Sequence, residues 1–110
     1  AMNRGDVYFV AFDPAIGEEI QKTRPAVIVS NNANNKNLAR VQVVPLTSSP
    51  NALKKCYSNE AMIIVAGKQG KALTSQLTTV SKLRLSQKIA SVSHNEMHLI
   101  EEAIRYQLDL

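Results

Sequence analysis

The most constraining feature of the sequence is residues 22–31, where Lys22 and Arg24 run directly into an apolar, β-branched segment. Pro25 cannot donate a backbone hydrogen bond, so it belongs at the start of a strand or at a sheet edge. Residues 27–29, with the sequence Val-Ile-Val, are then the interior of a buried strand. Arg24 is expected at the mouth of this strand, where its planar guanidinium can bind a phosphate or a carboxylate.

Two interpretations of Arg24 follow from the local sequence. The simpler one is a surface ion pair with Glu18 or Glu19, and local sequence alone favours it because most exposed arginines have such a role. The other is an anion-binding group beside a functional loop. Residues 14–22 form a long connection for a hairpin, and long loops in compact domains are often functional or disordered.

Size and charge narrow the class of protein. A chain of 110 residues is expected to fold as one domain, residues 1–110, with one core. Residues 1–92 carry 12 Lys/Arg against 5 Asp/Glu, whereas residues 93–110 carry 1 against 4. The basic part predicts an anionic partner, with nucleic acid as the first candidate, although surface charge that serves only solubility would give the same count.

No apolar stretch approaches the roughly 20 residues that span a bilayer, so we expect no membrane contact and a cytoplasmic location.

Hydrophobic patterning predicts a mainly β fold that ends in one helix. Ser93 and Glu96 have the spacing of a capping box, which predicts a helix over residues 94–107. Its apolar face is expected to comprise Met97, Ile100, Ile104 and Leu108. Besides residues 25–29, strands are predicted at 7–13, 40–47, 62–66, 72–80 and 88–92. Such a pattern favours a small, highly curved antiparallel barrel with the helix packed on it.

Two details complete this prediction of the fold. Residues 31–37 contain five asparagines and are expected to be a surface connection without packing content. Pro45 lies within the strand predicted at 40–47 and suggests that this strand is an edge or contains a bulge.

Other candidates for chemistry are weak. His94 and His98 lie one helical turn apart, but they lack the Glu spacing of a zinc-protease helix and are interpreted as surface residues. Cys56 is the single cysteine, which excludes an internal disulfide and a multi-cysteine zinc site. Gly67 and Gly70 are not in the register of a phosphate-binding loop, so their Gly-Lys pairs are interpreted as turns. We therefore predict no metal site.

The chain as a whole resembles the MazF/PemK/Kid family of toxins, the toxin halves of type II toxin–antitoxin pairs. The resemblance rests on residues 4–14 (Arg-Gly-Asp-Val-Tyr-Phe-Val-Ala-Phe-Asp-Pro), 17–19 (Gly-Glu-Glu), 22–31 (Lys-Thr-Arg-Pro-Ala-Val-Ile-Val-Ser-Asn) and 45–48 (Pro-Leu-Thr-Ser). It continues through Gln76, residues 80–85 (Val-Ser-Lys-Leu-Arg-Leu) and the helix from Ser93 to Leu108. The combination is specific, although no single piece is.

The resemblance implies an SH3-like barrel of the CcdB/Kid/MazF type, a homodimer, and a cofactor-free endoribonuclease that cuts single-stranded RNA in a sequence-specific manner. Attack by the 2′-hydroxyl would leave 2′,3′-cyclic phosphate and 5′-hydroxyl ends. It further implies a cognate antitoxin as partner, and a catalytic pair formed by Arg24 and Thr47. The substrate-binding positions implied in the same way are Gly17, Glu18, Glu19, Lys22, Asn31, Ser48 and Gln76.

Two departures from the family pattern concern the RNA groove. Members commonly have an acidic residue before the glutamine and an arginine two residues after it, where this chain has Ser75 and Thr78.

Two other functions also stay open. One is a non-catalytic toxin of the same fold that inhibits a protein such as DNA gyrase. The other is a barrel that binds RNA or peptide without cleaving it, although aromatic residues for base stacking are few.

Overall fold

The computed structural model describes all of residues 1–110 and contains seven antiparallel strands and two helices. The strands are β1 Asp6–Ala11, β2 Thr23–Ile28, β3 Arg40–Thr47, β4 Glu60–Val65, β5 Lys68–Leu73, β6 Thr78–Ser81 and β7 Leu85–Ser91. The helices are α1 Asn32–Asn37 and α2 His94–Leu108, and 3-10 turns lie at Ala52–Lys54, Thr74–Gln76 and Lys82–Arg84.

The strands form a single curled sheet in the order β4-β5-β3-β2-β1-β7. Strand β3 changes partner along its length, since β6 pairs with residues 40–43 and β5 with residues 46–47. The end strands β4 and β7 contact each other, so the sheet curves round into an open barrel. The predicted fold class, a mainly β antiparallel barrel with a C-terminal helix, is confirmed.

Two hydrophobic clusters lie on opposite faces of the central strands. Val27 belongs to the larger cluster, which also contains Ile100 from α2. Its neighbours Ala26 and Ile28 belong to the second cluster, together with Phe12. Because β2 is buried on both faces, its interior is a continuous apolar run instead of an alternating one. The arrangement fixes the position of Arg24, which precedes this run on the same strand.

Helix α2 is attached to the sheet through its first turn. The capping box is present as predicted, with the Ser93 hydroxyl accepting from the Glu96 N–H and the Glu96 carboxylate accepting from the Ser93 N–H. The other oxygen of Glu96 accepts a 2.6 Å hydrogen bond from the Ile64 N–H on the edge strand β4. Partial burial acts to raise the pKa of Glu96, but the hydrogen bonds from Ile64 and Ser93 outweigh it and lower the pKa.

The apolar face of α2 differs slightly from the predicted one. Met97, Ile100 and Ala103 are buried, while Ile104 is half-buried. Leu108 is 53% exposed. Neither helix is long and apolar enough to cross a membrane.

The prediction that residues 31–37 are a surface connection without packing content is wrong, because this segment contains the helix α1 and buries Asn35. Asn31 is its N-cap and accepts a hydrogen bond from the Asn34 N–H. Asn35 is 2% exposed and packs beneath the helix, where its side chain hydrogen-bonds to the hydroxyl and carbonyl of Ser30. Asparagine favours turns in general, but here its amides supply the cap and a buried anchor, so the segment does pack.

The prediction of one strand over residues 72–80 is also wrong, because these residues belong to two strands and the turn between them. Strand β5 begins at Lys68, and a two-residue turn of Ala66 and Gly67 joins it to β4. Both turn residues have positive φ, 50° and 80°, which suits the twist of a tight hairpin. The 3-10 turn Thr74–Gln76 then separates β5 from β6.

Pro45 does not mark an edge strand. It is fully buried inside β3, a strand with partners on both sides, and pairs with Ala26 of β2. On the other side of β3, Pro45 lies between the part that pairs with β6 and the part that pairs with β5. A residue without an N–H is tolerated at this change of partner.

Candidate active site

Arg24 and Thr47 are brought together by the pairing of β2 with β3. The antiparallel register aligns Ala26 with Pro45, and continuing it by two residues puts Arg24 opposite Thr47. Side chains that face each other across an antiparallel pair lie on the same side of the sheet. Both residues line a cavity of about 160 Å³ at the end of the two strands. The structure thus brings these two predicted residues together at one cavity.

The guanidinium of Arg24 is held by one edge and available at the other. Its Nε donates to the Gln21 carbonyl at 3.0 Å, and its terminal nitrogens have no hydrogen-bond or ion-pair partner. No ion pair joins Arg24 to Glu18 or Glu19, so that simpler interpretation is wrong. A half-buried guanidinium with two free nitrogens is suited to bidentate binding of a phosphate.

The hydroxyl of Thr47 is oriented by the chain that follows it. Thr47 Oγ1 accepts a 3.3 Å hydrogen bond from the Ser49 N–H, so its own hydrogen can be donated to a ligand. Ser48 lines the same cavity and is exposed, which provides a second hydroxyl at the opening.

The sequence analysis missed one side of this cavity. Lys68, Gln69 and Gly70, at the start of β5, complete its lining. In the sequence, Gly67 and Lys68 have only the character of a turn. The hairpin of β4 and β5 reaches the end of β3 through the pairing of β5 with β3, and this long-range contact is not visible in the local sequence. The one local clue was Gly67 following the apolar run 62–66, which indicates a tight hairpin instead of a longer loop.

Gln76 lies in a different cavity, of about 460 Å³, between the loop 12–22 and β6. Its side-chain carbonyl accepts a hydrogen bond from the Ile20 N–H at 3.3 Å and so holds the loop. Glu19 lines the same cavity. Ser75 and Thr78, the two departures from the family pattern, line it as well, and neither lines the cavity at Arg24.

The remaining predicted substrate-binding residues line neither cavity. Gly17 and Glu18 lie exposed in the loop, and Gly17 has φ +62°, a conformation that favours glycine. Lys22 has φ 67° and closes the loop through its N–H, which donates to Asp13 Oδ1 at 2.8 Å. Asn31 is the N-cap of α1.

The electrostatics of the smaller cavity favour an anion. Arg24 and Lys68 contribute two cations to its lining, Thr47 and Ser48 contribute hydroxyls, and no carboxylate lines it. This combination of a guanidinium, an ammonium and hydroxyl donors is suited to a phosphodiester. No cluster of three or more His, Cys, Asp or Glu side chains in the structure could hold a metal ion. The histidine pair on α2 is exposed, and His98 lies 3.7 Å from Glu101 and 3.9 Å from Glu102.

The protein is thus a small curled β barrel with a cation-lined cavity at a strand end, and comparison with known proteins specifies the family. Residues 3–108 match the family described as PemK-like, MazF-like toxin of type II toxin–antitoxin system. The chain is 35% identical to the endoribonuclease MazF9 of Mycobacterium tuberculosis, with 99% of this chain and 98% of the relative covered. It is 32% identical to the endoribonuclease MazF of Staphylococcus saprophyticus, with 99% and 92% covered.

Solved structures agree with this assignment. A mycobacterial endoribonuclease in complex with its cognate antitoxin superimposes with a TM-score of 0.82 at 25% identity, covering 100% of this chain and 97% of that one. MazF from Deinococcus radiodurans has the same fold, with a TM-score of 0.83 at 22% identity and coverage of 98% and 96%. The chain therefore belongs to the PemK/MazF family of type II toxins.

Proposed function

We propose that this protein is the toxin of a type II toxin–antitoxin pair and cleaves single-stranded RNA as an endoribonuclease. The observation that carries the proposal is the convergence of Arg24 and Thr47 on one cavity that is lined by cations and lacks carboxylates. Membership of the family and the named activity of its relatives support the same activity. Messenger RNA as the substrate implies action in the cytoplasm.

The reaction suits a site of this kind because RNA carries its own nucleophile. The 2′-oxygen forms a bond to the adjacent phosphorus, the bond from phosphorus to the 5′-oxygen breaks, and the 2′ proton leaves while the 5′-oxygen gains one. The products are a 2′,3′-cyclic phosphate and a 5′-hydroxyl. The protein has to orient the attack and stabilise the charge that builds on the phosphorus oxygens.

Arg24 and Thr47 both stabilise the negative charge that builds on the phosphorus oxygens. The free nitrogens of Arg24 bind the non-bridging oxygens as a fork, and the Thr47 hydroxyl donates to one of the same oxygens. Arginine has a pKa above about 12 and keeps its proton. Arg24 therefore acts by stabilising charge and by donating a hydrogen bond toward the leaving 5′-oxygen, and it does not serve as the general base.

The test is to incubate the purified protein with a long single-stranded RNA in EDTA and map the ends of the fragments. We expect cuts at a defined sequence, 5′-hydroxyl ends, and cyclic phosphate or its 3′-phosphate hydrolysis product. Fragments with 5′-phosphates, or loss of cutting in EDTA, would contradict the proposed chemistry. Intact RNA together with retained toxicity would instead favour a protein target.

We further propose a two-fold symmetric homodimer that forms the RNA groove from both subunits. One barrel offers only a small cavity beside Arg24, which is too short to hold several nucleotides. An isologous dimer doubles the available surface without a new kind of contact. Sedimentation at micromolar concentration should show a dimer, and a fully active monomer would refute it.

The same proposal includes a cognate antitoxin that blocks the site. Residues 1–92 are strongly basic and the loop 12–22 is exposed over much of its length, which suits an acidic segment that folds on binding. Such a segment would bury apolar anchors as well as charges. Binding should therefore weaken with salt but persist at high salt, unlike a contact made only to phosphates. Hydrogen exchange across residues 13–24 in the free and bound toxin tests this, and unchanged protection with RNA still able to bind would contradict it.

A further inference from the structure

We infer that Lys68 is a second cationic ligand of the scissile phosphate, acting beside Arg24. The inference rests on the proposed RNA cleavage and adds a substrate-binding residue to it. Lys68 lies at the first position of β5 and lines the cavity that contains Arg24 and Thr47.

The hairpin between β4 and β5 explains how Lys68 reaches this position. Ala66 and Gly67 make the tightest possible connection, so Lys68 pairs directly with Val65, and both line the cavity. Two residues further on, the backbone of Gly70 passes the Thr47 carbonyl, since a Cβ built there would lie 3.7 Å from that oxygen. Strand β5 therefore runs alongside the end of β3, and its first residue, the exposed Lys68, lines the cavity.

The charge of Lys68 is not neutralised within the protein. Two other lysines of the sheet have acidic partners, since Lys71 lies 3.0 Å from Glu60 and Lys88 lies 3.3 Å from Asp6. The side chain of Lys68 has no ion pair or hydrogen bond, and the cavity that it shares with Arg24 has no carboxylate. Two cations beside one small cavity repel each other until an anion binds between them.

A phosphate in this cavity would be stabilised by the positive charges of both Arg24 and Lys68. Arg24 offers a planar fork, while Lys68 offers a mobile point charge that follows the phosphorus oxygens as the geometry changes. More negative charge develops on these oxygens in the transition state than the diester carries at rest. A ligand of the scissile phosphate therefore contributes to the rate as well as to binding.

The experiment compares Lys68→Ala with Lys68→Arg and with Lys36→Ala, a control that removes the same charge from the exposed face of α1. Single-turnover cleavage at saturating RNA measures the rate. Binding of a single-stranded 2′-O-methyl RNA, which has no nucleophile and stays intact, measures affinity at several salt concentrations. Thermal melting checks that each variant is folded.

We expect Lys68→Ala to lower the cleavage rate by roughly 10- to 100-fold, the loss associated with a hydrogen bond to a charged group. The slope of log affinity against log salt should become shallower by about 0.7, as for one lost phosphate contact on a single strand. Lys68→Arg should retain most of the rate because the positive charge remains.

Lys68→Ala with the rate and salt slope of Lys36→Ala would overturn the inference. Weaker binding at an unchanged rate would also overturn it, since Lys68 would then contact another phosphate. Failure of the proposed function appears differently, as wild-type protein that binds 2′-O-methyl RNA and leaves ordinary RNA uncut.

Discussion

Arg24 and Thr47 line one cavity from neighbouring antiparallel strands, and continuing the β2–β3 register by two residues places them opposite each other. The cavity lies at the end of a strand that is buried on both faces. The guanidinium is therefore carried on a rigid element and not on the loop that precedes it. Such rigidity matters because a displacement of 1 Å at a catalytic group can cost about 10²-fold in rate.

Replacing Arg24 with alanine should reduce RNA cleavage by at least about 10³-fold, because the main stabiliser of charge on the phosphate is lost. Arg24→Lys should also be severely impaired, since an ammonium lacks the planar fork. Single-turnover cleavage measures both. Arg40→Ala, an exposed arginine at the start of β3 that does not line the cavity, is the control. Full activity in Arg24→Ala would refute the site.

Removing the Thr47 hydroxyl should lower cleavage by about 10²-fold, as for the loss of one oxyanion donor. Thr47→Val keeps the shape and loses the donor, whereas Thr47→Ser keeps the donor. The rate of Thr47→Ser should therefore be close to that of wild type while Thr47→Val falls. Equal rates for the two variants would show that the hydroxyl is not involved.

Gln76→Ala should loosen the loop 12–22, because the Ile20 N–H loses its acceptor. Amide hydrogen exchange should speed up across residues 16–22 and stay unchanged in α2. Ser75→Ala is a matched neighbour that lines the same cavity but makes no hydrogen bond to the loop. Similar exchange in Gln76→Ala and wild type would mean that the contact does not hold the loop.

The buried pair of Lys71 and Glu60 should contribute strongly to stability. Lys71 is 5% exposed, and its ammonium contacts the Glu60 carboxylate at 3.0 Å and the Lys55 carbonyl at 3.2 Å. Lys71→Ala should cost roughly 3 kcal/mol in the free energy of unfolding, because it leaves a carboxylate without its partner. The double variant Lys71→Met, Glu60→Leu should lose less, as measured by urea denaturation. A double variant less stable than Lys71→Ala would contradict this account.

Glu96 should make stability depend on pH in the acid range. Its pKa is lower in the folded protein than in the unfolded chain, so the unfolded chain binds a proton at higher pH. The stabilisation is complete above the ordinary glutamate pKa, about 4.3, and is lost as the pH falls through the lower folded value. Glu96→Gln should therefore be less stable than wild type at pH 7 and show a smaller loss on acidification.

Urea denaturation between pH 7 and pH 2.5 measures this difference. Glu102→Gln, an exposed position on the same helix, is the control. A Glu96→Gln variant with the same acid dependence as wild type would contradict the linkage.

Elements that depend on neighbouring residues could be predicted from the sequence. The capping box sets the start of α2, and β-branched runs set β2 and β3, because the physical causes lie within a few residues. Resemblance to a family predicts that Arg24 and Thr47 act together, whereas local chemistry alone favours an ion pair of Arg24 that the structure does not contain.

Tertiary structure decided the rest. Asparagines become a helix at residues 32–37 because Ser30 satisfies the buried amide of Asn35, a contact that composition cannot reveal. Lys68 joins the cavity because the hairpin turn and the pairing of β5 with β3 fix its position. Local preference determines which residues begin a strand or a helix. Long-range register determines which side chains meet, because it depends on how distant strands bury their apolar faces together.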